Sequence, residues 1–565
     1  MIAVLEIGEL MNRNLIIAGL ILASVTSFAG WEYTQIELNG STANVLRNTE
    51  SGWGFKASYE YNVGLQIDGC YESPSDGATL DFSGEILNLM PNLRGKEITI
   101  VKIGRPFLNR WNPSQTSDHV ANLKSLTLPE TLQTINEFAF WNCTNLTYLA
   151  PLPTSLTKIN RGAFENTSIE NDLVITGGEC SIAYASFANT KISSADLTGV
   201  TVIGNYVNGY AGAFENCKEL TSVKLNSALT YIPDNGFKNC SKLNSVVPLL
   251  PNSVTNVGEN AFYKTMLQGD LVVPSGCMIE QGAFAATLLT SVDFEKGGNV
   301  IGSTTLTSAG AFENCDKLTK IILPSELVTI GNRTFSNCSN LVSITPMFPD
   351  TLENFGGDAF KNVIFPEQPL YLKGVKNIGG SAFANQPITA LYFGSCLTNI
   401  AGGWDKGAFF NCTKLAKVEF PKNAAPCEFG EMTFAKCSSL TELELPAKTV
   451  GRYIITGSGV TNITYRACLE KFNEKIYTVA YGTQKLTDVY YYGPCPTINE
   501  TVKIFYGINA GKLTHHVNET YLSTWAAVTD DGEPPDETSK WINNGVETWI
   551  RPWRPSINST MIIVK

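Results

Sequence analysis

Apolar and polar positions alternate along the chain in short runs that recur many times. One unit reads L-x-x-V-x-L, as in Leu220, Val223 and Leu225, where the last two apolar positions are separated by one polar residue. A period of two residues is typical of a β-strand with one buried face. The proline that often follows, as at Pro324 and Pro446, cannot continue a hydrogen-bonded ladder and ends the strand. The pattern predicts many short, half-buried strands.

A second motif, A-F-x-N-C or a close variant, recurs at intervals of 22 to 28 residues. Its thirteen phenylalanines are Phe140, Phe164, Phe187, Phe214, Phe237, Phe262, Phe284, Phe312, Phe335, Phe360, Phe383, Phe409 and Phe434. Before each motif an Ile-Gly pair is expected to turn the chain, and Ala-Phe to open a short helical or 3-10 turn. A period this short predicts one solenoid coil per unit, with the phenylalanines and leucines of stacked coils forming one core. The strands should then form a parallel sheet with right-handed connections.

Two polar positions of the motif are predicted to be structural. An asparagine lies two residues after the phenylalanine in ten of the thirteen units, and we expect its amide to point inward and pair buried turn groups. The next position is cysteine in seven units and threonine in four, which predicts a small, tightly packed side chain and free thiols. Disulfides between neighbouring coils, such as Cys217 with Cys240, are the alternative, but an in-register ladder would strain them.

These units resemble the BspA-type leucine-rich repeat family of surface and secreted proteins, whose units read AFxNCxxLxxVxLPxxLxxIG. The segment GDLVVPSG at 269–276 is also similar to that family, and the resemblance covers about residues 120–465. It implies a β-rich, right-handed leucine-rich repeat solenoid with short parallel strands and 3-10 or short helical turns. It further implies adhesion or protein binding outside the cell, with matrix proteins as ligands. The family is not known for enzymes and offers no fixed binding motif to carry over.

The sequence before the repeats predicts export. Residues 1–29 are interpreted as a signal peptide that starts at Met11, because Arg13 precedes an apolar run and a small-x-small cleavage site ends at Ala29. No cysteine follows for a lipid anchor, and no second apolar segment is long enough to span a membrane. We expect a secreted or cell-surface protein without a membrane-spanning segment in the mature chain.

Three further regions follow the signal peptide. Residues 30–118 lack the phenylalanine period and are predicted to form an N-terminal β cap. Residues 119–465 form the solenoid of about thirteen units, and residues 466–565 an aromatic-rich C-terminal cap. Caps are expected at both ends because the end coils of a solenoid would otherwise expose strand edges and core.

Composition narrows the possible functions. A net charge of −11, spread along the chain, disfavours nucleic acid and anionic lipid as partners. The chain contains three histidines and no phosphate-binding loop, HExxH or GxSxG string, so we expect no enzyme, cofactor or metal site. His515 and His516 are adjacent and would face opposite ways in a strand, which disfavours joint metal binding.

Two surfaces are candidates for binding. The first consists of outward strand positions in the late repeats, and its residues are Tyr392, Lys417, Glu419, Glu442 and Glu444. It would bind an extracellular protein, such as a host matrix protein or a neighbouring cell's surface protein, although such positions also suit a merely solvated face. The second is a glycan-stacking platform of Trp541, Trp549 and Trp553, joined by Trp525; alternatively, these tryptophans pin the tail over the last coil. A purely structural envelope role is the third hypothesis.

Overall fold

The computed structural model describes residues 31–38, 41–48, 50–60, 64–72, 78–82, 86–88, 100–103, 123–177, 179–204, 211–294, 296–305, 309–402, 407–466, 468–472, 485–497, 513–526, 535, 540–543 and 546–553. The chain divides into two compact units, Met1–Cys180 and Ser181–Lys565. The predicted signal peptide, with its start at Met11, lies outside the described residues.

The first unit combines an antiparallel meander with parallel strands. Its strands are β1 (Trp31–Leu38), β2 (Ser41–Asn48), β3 (Trp53–Glu60), β4 (Gly64–Glu72), β5 (Ala78–Asp81), β6 (Ile86–Asn88), β7 (Ile100–Ile103), β8 (Leu123–Thr127), β9 (Thr134–Ile135), β10 (Tyr148–Leu149), β11 (Lys158–Ile159) and β12 (Leu173–Val174). Strands β1 to β4 pair antiparallel, whereas β4, β7, β9 and β11 pair parallel in one sheet. Strands β5, β8 and β10 form a second parallel sheet.

Aromatic side chains fill the core of the meander. Trp31 stacks on Phe82 at 4.8 Å between ring centroids, and Trp53 stacks on Phe55 at 5.9 Å. The Trp31 indole N–H donates to the Asp81 carbonyl at 2.7 Å, so its one polar group is satisfied as it is buried. The capping role of this region stays a prediction.

The second unit contains two kinds of strand. The strands of the longer kind are β14 (Ser194–Leu197), β16 (Ser222–Leu225), β18 (Ser245–Val247), β20 (Gln268–Val272), β22 (Leu288–Asp293), β24 (Lys320–Ile322), β26 (Ser343–Thr345), β28 (Leu370–Leu372), β30 (Ala390–Phe393), β32 (Lys417–Glu419), β34 (Glu442–Leu445), β36 (Asn462–Tyr465), β38 (Asp488–Tyr491), β39 (Thr514–Asn518), β40 (Lys540–Asn543) and β41 (Val546–Trp553). The strands between them are β13 (Cys180–Ile182, which begins in the first unit), β15 (Val200–Ile203), β17 (Tyr231–Ile232), β19 (Asn256–Val257), β21 (Met278–Ile279), β23 (Val300–Ile301), β25 (Thr329–Ile330), β27 (Asn354–Phe355), β29 (Asn377–Ile378), β31 (Asn399–Ile400), β33 (Cys427–Phe429), β35 (Ala447–Val450) and β37 (Lys471–Phe472).

Both kinds of strand stack coil upon coil in parallel. The long strands form β14-β16-β18, β20-β22-β24-β26, β28-β30-β32 and β34-β36-β38-β39-β41-β40, in which only β40 is antiparallel to its neighbour. We call their outward residues the long-strand face. The odd-numbered strands from β17 to β37 form one eleven-stranded sheet, the short-strand sheet. The parallel β-solenoid is therefore confirmed, while its right-handed winding stays a prediction.

The short-strand sheet was not foreseen. The sequence predicts one strand per unit and a turn at Ile-Gly, but the isoleucine is the inward residue of a second strand, as Ile378 is in β29. The glycine that follows permits a close approach between coils. A Cβ atom on Gly379 would lie 2.3 Å from the amide nitrogen of Gly357 in the preceding coil. Glycine at this position lets the backbones of two coils touch.

The A-F-x-N-C segments are turns rather than helices, and their asparagines have a different role from the predicted one. Asn337 has a φ of 62°, in the left-handed region that asparagine tolerates best among non-glycine residues. Its amide donates to the Asn314 side chain at 2.8 Å and accepts from Asn362 at 2.8 Å, forming a half-exposed ladder along the coils. The prediction of an inward amide is wrong, because the left-handed backbone directs the side chain toward the surface.

The phenylalanines form a continuous inner column. In the second unit each ring from Phe187 to Phe434 stacks on the next, with centroid separations of 5.3 to 5.8 Å. Each ring is fully buried, and burying one such side chain contributes about 1.5–3 kcal/mol. Because a single coil could not bury its own ring, the stack accounts for the strict repeat of this residue.

All fourteen cysteines carry free thiols. Six of the seven motif cysteines, all but Cys143, donate to the carbonyl oxygen of the phenylalanine in the preceding coil, as from Cys338 Sγ to Phe312 at 3.1 Å. Where threonine replaces cysteine, its hydroxyl donates to the phenylalanine carbonyl of its own coil, as from Thr265 to Phe262 at 2.9 Å. The position therefore favours a hydrogen-bond donor: Gln386 also donates to the Phe360 carbonyl of the preceding coil, at 2.9 Å, and Val363 is an exception.

The described residues contain little helix: a 3-10 turn at Glu519–Tyr521 and α1 at Leu522–Trp525. Parallel pairing continues beyond residue 465, through β38, β39 and β41. The proposed divisions at residues 118 and 465, and the C-terminal cap, stay predictions.

Candidate binding surface

The long-strand face is set by strict alternation along each strand. In β34, Leu443 and Leu445 are buried while Glu442 and Glu444 are exposed. Because the strands are parallel and in register, the outward residues of successive coils form rows. Neighbouring residues within a row are about 4.8 Å apart. The five predicted outward residues of this face are at least partly exposed, whereas Ala390, two residues before Tyr392 on the same strand, is buried beside Lys417 of the next strand.

Three predicted site residues come together on adjacent strands. Tyr392 of β30 lies in register with Glu419 of β32. The Lys417 ammonium lies 5.1 Å from the centroid of the Tyr392 ring and 2.5 Å from a Glu419 carboxylate oxygen. The hydrogen bond to Glu419 raises the pKa of Lys417. The result is a compact group of an aromatic ring, a cation and an anion, with both charges open to solvent.

Tyr371 belongs to the same group, although the sequence reasoning did not select it. It precedes Tyr392 in register, is 53 % exposed, and stacks on Tyr392 with centroids 4.9 Å apart and an angle of 10° between the rings. The alternation in Leu370-Tyr371-Leu372 was the available signal. It was obscured because this unit has valine in place of the motif cysteine.

Glu442 and Glu444 lie in the next long strand of the chain. A Glu444 carboxylate oxygen accepts from Arg466 Nε at 2.7 Å. The same guanidinium donates to the carbonyls of Pro421 at 2.7 Å and Phe420 at 3.0 Å. Arg466, also missed from the sequence, therefore fastens neighbouring coils together at the edge of the surface and fixes the position of Glu444.

Two of the four candidate tryptophans, Trp525 and Trp549, have side chains that the structure describes. Trp549 lies outward in the row of Glu442, four strands further on, and is 37 % exposed, with the Arg551 guanidinium 4.7 Å from its ring centroid. Trp525 is fully buried against Tyr491, so its assignment to the platform is wrong. Trp541 and Trp553 lie in β40 and β41, and their side chains are outside the described part of the structure.

The two histidines face opposite ways, as predicted. His515 is fully buried, and its pKa is lowered by burial and, secondarily, by His516. His516 is outward, stacks on Tyr490 at 4.4 Å and lies 2.7 Å from an Asp488 carboxylate oxygen. This outward group was another that the sequence did not indicate, because it depends on residues from two coils.

The described ranges contain neither a metal-binding cluster nor a membrane-spanning helix. No group of three or more His, Cys, Asp and Glu side chains there could hold a metal ion. No helix in that part of the chain has the length and apolar character needed to cross a membrane.

Comparison with known proteins identifies the family. The family model described as "BspA type Leucine rich repeat region (6 copies)" matches residues 118–211, 210–310, 305–425, 370–487 and 404–525. Together these segments are more than half of the chain. The chain belongs to this family of leucine-rich repeat proteins. Such solenoids are typically non-enzymatic binding scaffolds. No curated protein gives a significant match.

Several solved structures are similar to this chain. One is a leucine-rich repeat protein from Bacteroides ovatus, at 20 % identity and a TM-score of 0.42, covering 69 % of this chain and 93 % of that one. A leucine-rich cell surface protein from Faecalibacterium prausnitzii shows 18 % identity and a TM-score of 0.32, covering 79 % and 94 %. The pneumococcal vaccine antigen PcpA shows 12 % identity and a TM-score of 0.32, covering 92 % and 99 %. Because these scores are low, the fold assignment rests on the family match and the strand pairing.

Proposed function

We propose that this chain is an exported, cell-surface or secreted, non-enzymatic binding protein that holds a partner protein on its long-strand face. The observation that carries the proposal is the exposed group of Tyr371, Tyr392, Lys417 and Glu419, which Glu442 and Glu444 extend. Aromatic residues are enriched at the centre of protein interfaces, whereas charged and polar residues surround them at the rim. The partner is an adhesin's ligand: a host matrix protein or a protein on a neighbouring cell.

The ring geometry favours a protein over a sugar. A glycan-binding platform needs open ring faces, but Tyr371 and Tyr392 cover one another's faces and Lys417 lies over Tyr392. Tyr392 therefore offers its ring edge and hydroxyl group, and Tyr371 keeps at most one open face, an arrangement that suits contacts with a polypeptide. Its rigid stacking also reduces the side-chain entropy lost on binding.

Glycan binding at Trp549 is the second candidate, because this indole is exposed on the same outward face. The Arg551 guanidinium over the ring leaves at most one indole face for a sugar. Trp541 and Trp553 belong to this hypothesis through their positions in the last two strands.

A binding panel of matrix proteins, cell-surface proteins and glycans tests both candidates. The matched variants are Tyr371→Ser with Tyr392→Ser in the proposed site, and Lys224→Ser with Val247→Ser at exposed positions of the same face. We expect saturable binding of a protein that falls at least tenfold in the tyrosine variant and is unchanged in the control.

Other outcomes decide between the remaining hypotheses. If the chain binds a glycan but no protein, and Trp549→Ala abolishes that binding, the binding site would lie on the C-terminal strands. If the correctly folded protein binds no member of the panel, the adhesin proposal is contradicted and a structural envelope role is favoured.

A further inference from the structure

The outward row of the short-strand sheet changes character along its length. From Thr329 through Asn354 to Asn377 it is a polar ladder, in which Asn377 donates to Asn354 at 2.8 Å and Asn354 to Thr329 at 3.3 Å. In the two preceding coils the same row is apolar, with Met278 and Val300. Met278 is 47 % exposed, which is unusual for a large apolar side chain on a strand.

A cavity of about 330 Å³ lies on this apolar part of the row. Met278, Val300 and Thr329 come from three successive strands, and Glu280 and the segment 302–304 line it from the turns that follow β21 and β23. The volume is at the lower end of the range of about 300–1,000 Å³ for ligand pockets, so it suits one side chain rather than a cofactor.

The charge at this cavity is negative and uncompensated. Glu280 accepts from the Asn256 amide at 3.0 Å, and in the preceding coils Asp234 accepts from the Tyr231 hydroxyl at 2.8 Å and from the Glu259 amide at 2.9 Å. Within the described ranges neither the Glu280 nor the Asp234 carboxylate forms an ion pair with a lysine, arginine or histidine. Burial is the main cause that raises the pKa of Tyr231, and the hydrogen bond to Asp234 and the charges of Asp234 and Glu280 add to it.

We propose that this cavity binds a lysine or arginine side chain of a partner protein. The aliphatic stem packs on Met278 and Val300, and the cationic head group pairs with Glu280 and donates to hydroxyl groups at the rim. A flexible methionine adapts to either stem, and a guanidinium or ammonium group supplies a positive charge that pairs with the Glu280 carboxylate. This site is on a different sheet from the proposed adhesive face and does not depend on it.

Ligand-observed NMR on the full mature chain tests the site with capped tripeptides that carry one central residue. The probes are Ac-Gly-Arg-Gly-NH₂ and Ac-Gly-Lys-Gly-NH₂, compared with the neutral citrulline and norleucine analogues. We expect saturable, salt-sensitive binding of the two cationic peptides, at least tenfold tighter than that of the neutral ones. Glu280→Gln should reduce this affinity at least tenfold, and Met278→Trp should block entry while retaining the charge.

The matched control is Glu428→Gln, an exposed carboxylate of the same row several coils away. It should leave binding unchanged, as should the Tyr371→Ser, Tyr392→Ser variant, which separates this site from the adhesive face. Equal binding of arginine and citrulline peptides, full retention in Glu280→Gln, or no binding by a folded protein would each overturn the proposal.

Discussion

At the residue scale, the motif is explained by what the backbone of each coil demands. The asparagine supplies a left-handed turn and a side-chain ladder, and the cysteine or threonine supplies a donor for a buried phenylalanine carbonyl. Lys264, Ala286 and Lys436 replace the asparagine in three coils and keep φ between 56° and 61°. The left-handed backbone is therefore retained in these three coils, although the asparagine ladder is interrupted there.

Substitution of Asn337 should separate these two contributions. Both Asn337→Gly and Asn337→Ala remove the ladder, but only alanine must also adopt the left-handed conformation, which costs roughly 1–2 kcal/mol. We expect Asn337→Ala to be the less stable variant by about 1 kcal/mol, after allowing for the greater chain entropy of glycine. Chemical denaturation measures the difference, and equal midpoints for the two variants would contradict it.

Thiol labelling should divide the cysteines by burial. Burial raises the pKa of Cys412 to about 12 and that of Cys437 well above its ordinary value, so few thiolates are available for reaction. We expect a maleimide to reach the folded protein only at the four half-buried thiols, Cys70, Cys396, Cys468 and Cys495, and to react slowly at Cys495, because burial raises its pKa to about 12. Mass mapping of the labelled peptides checks this. Omission of reductant should not alter the result, and labelling of the motif cysteines at the same rate would refute it.

At the scale of elements, a coil consists of two strands joined by tight turns, and the second strand depends on glycine. A Cβ atom on Gly356 would lie 2.3 Å from the Asn332 backbone nitrogen, whereas on the adjacent Gly357 its nearest neighbour would be 3.5 Å away. The two glycines therefore have different roles. The first permits contact between coils, whereas a Cβ atom on the second would make only ordinary van der Waals contacts.

This pair gives a matched test of the close approach. Gly356→Ala should lower the free energy of unfolding by about 1–3 kcal/mol or more, because backbone atoms must move to relieve the overlap. Gly357→Ala should stay within about 0.5 kcal/mol of the wild type. Denaturant unfolding of both proteins provides the comparison, and similar losses in the two variants would argue against the close-approach explanation.

Periodicity explains how far the sequence could be interpreted. The alternation in the long strands placed Tyr392, Lys417 and Glu419 outward, and the strict spacing of the phenylalanines indicated one coil per unit. A two-residue strand such as β29 is too short to show a period, so the second sheet was missed. Arg466 was missed for another reason, because its partners Phe420 and Pro421 are 46 and 45 residues away and only stacking brings them near.

At the scale of the whole molecule, aromatic rings replace leucine in the inward row of the long strands toward the C-terminus. Tyr465 follows Leu445 in register and stacks on Tyr491, and His515 and Trp525 pack against Tyr491. These residues are fully buried like the phenylalanines, but they bring titratable groups into the core. Stability in this part of the stack should therefore depend on pH, unlike the purely phenylalanine part.

Acid should destabilise the stack through His515. Its pKa is lowered well below the ordinary 6.5 in the folded protein, so as pH falls below about 6.5 the unfolded chain binds a proton that the folded one does not. The contribution of His515 to stability is present above that pH and declines below it. We expect the melting temperature to drop between pH 7 and pH 5, and His515→Phe to reduce the drop. Parallel pH profiles for the two proteins would contradict this assignment.

The free thiols have a mechanical consequence. No covalent link joins one coil to the next except the chain itself, and all fourteen cysteines are unbonded. A pulling force on the stacked part of the second unit would therefore detach coils one at a time from an end, each releasing about 24 residues or roughly 80 Å of extended chain. Such a molecule yields stepwise and dissipates work at every step, and it can regain its length by re-stacking when the tension is relaxed.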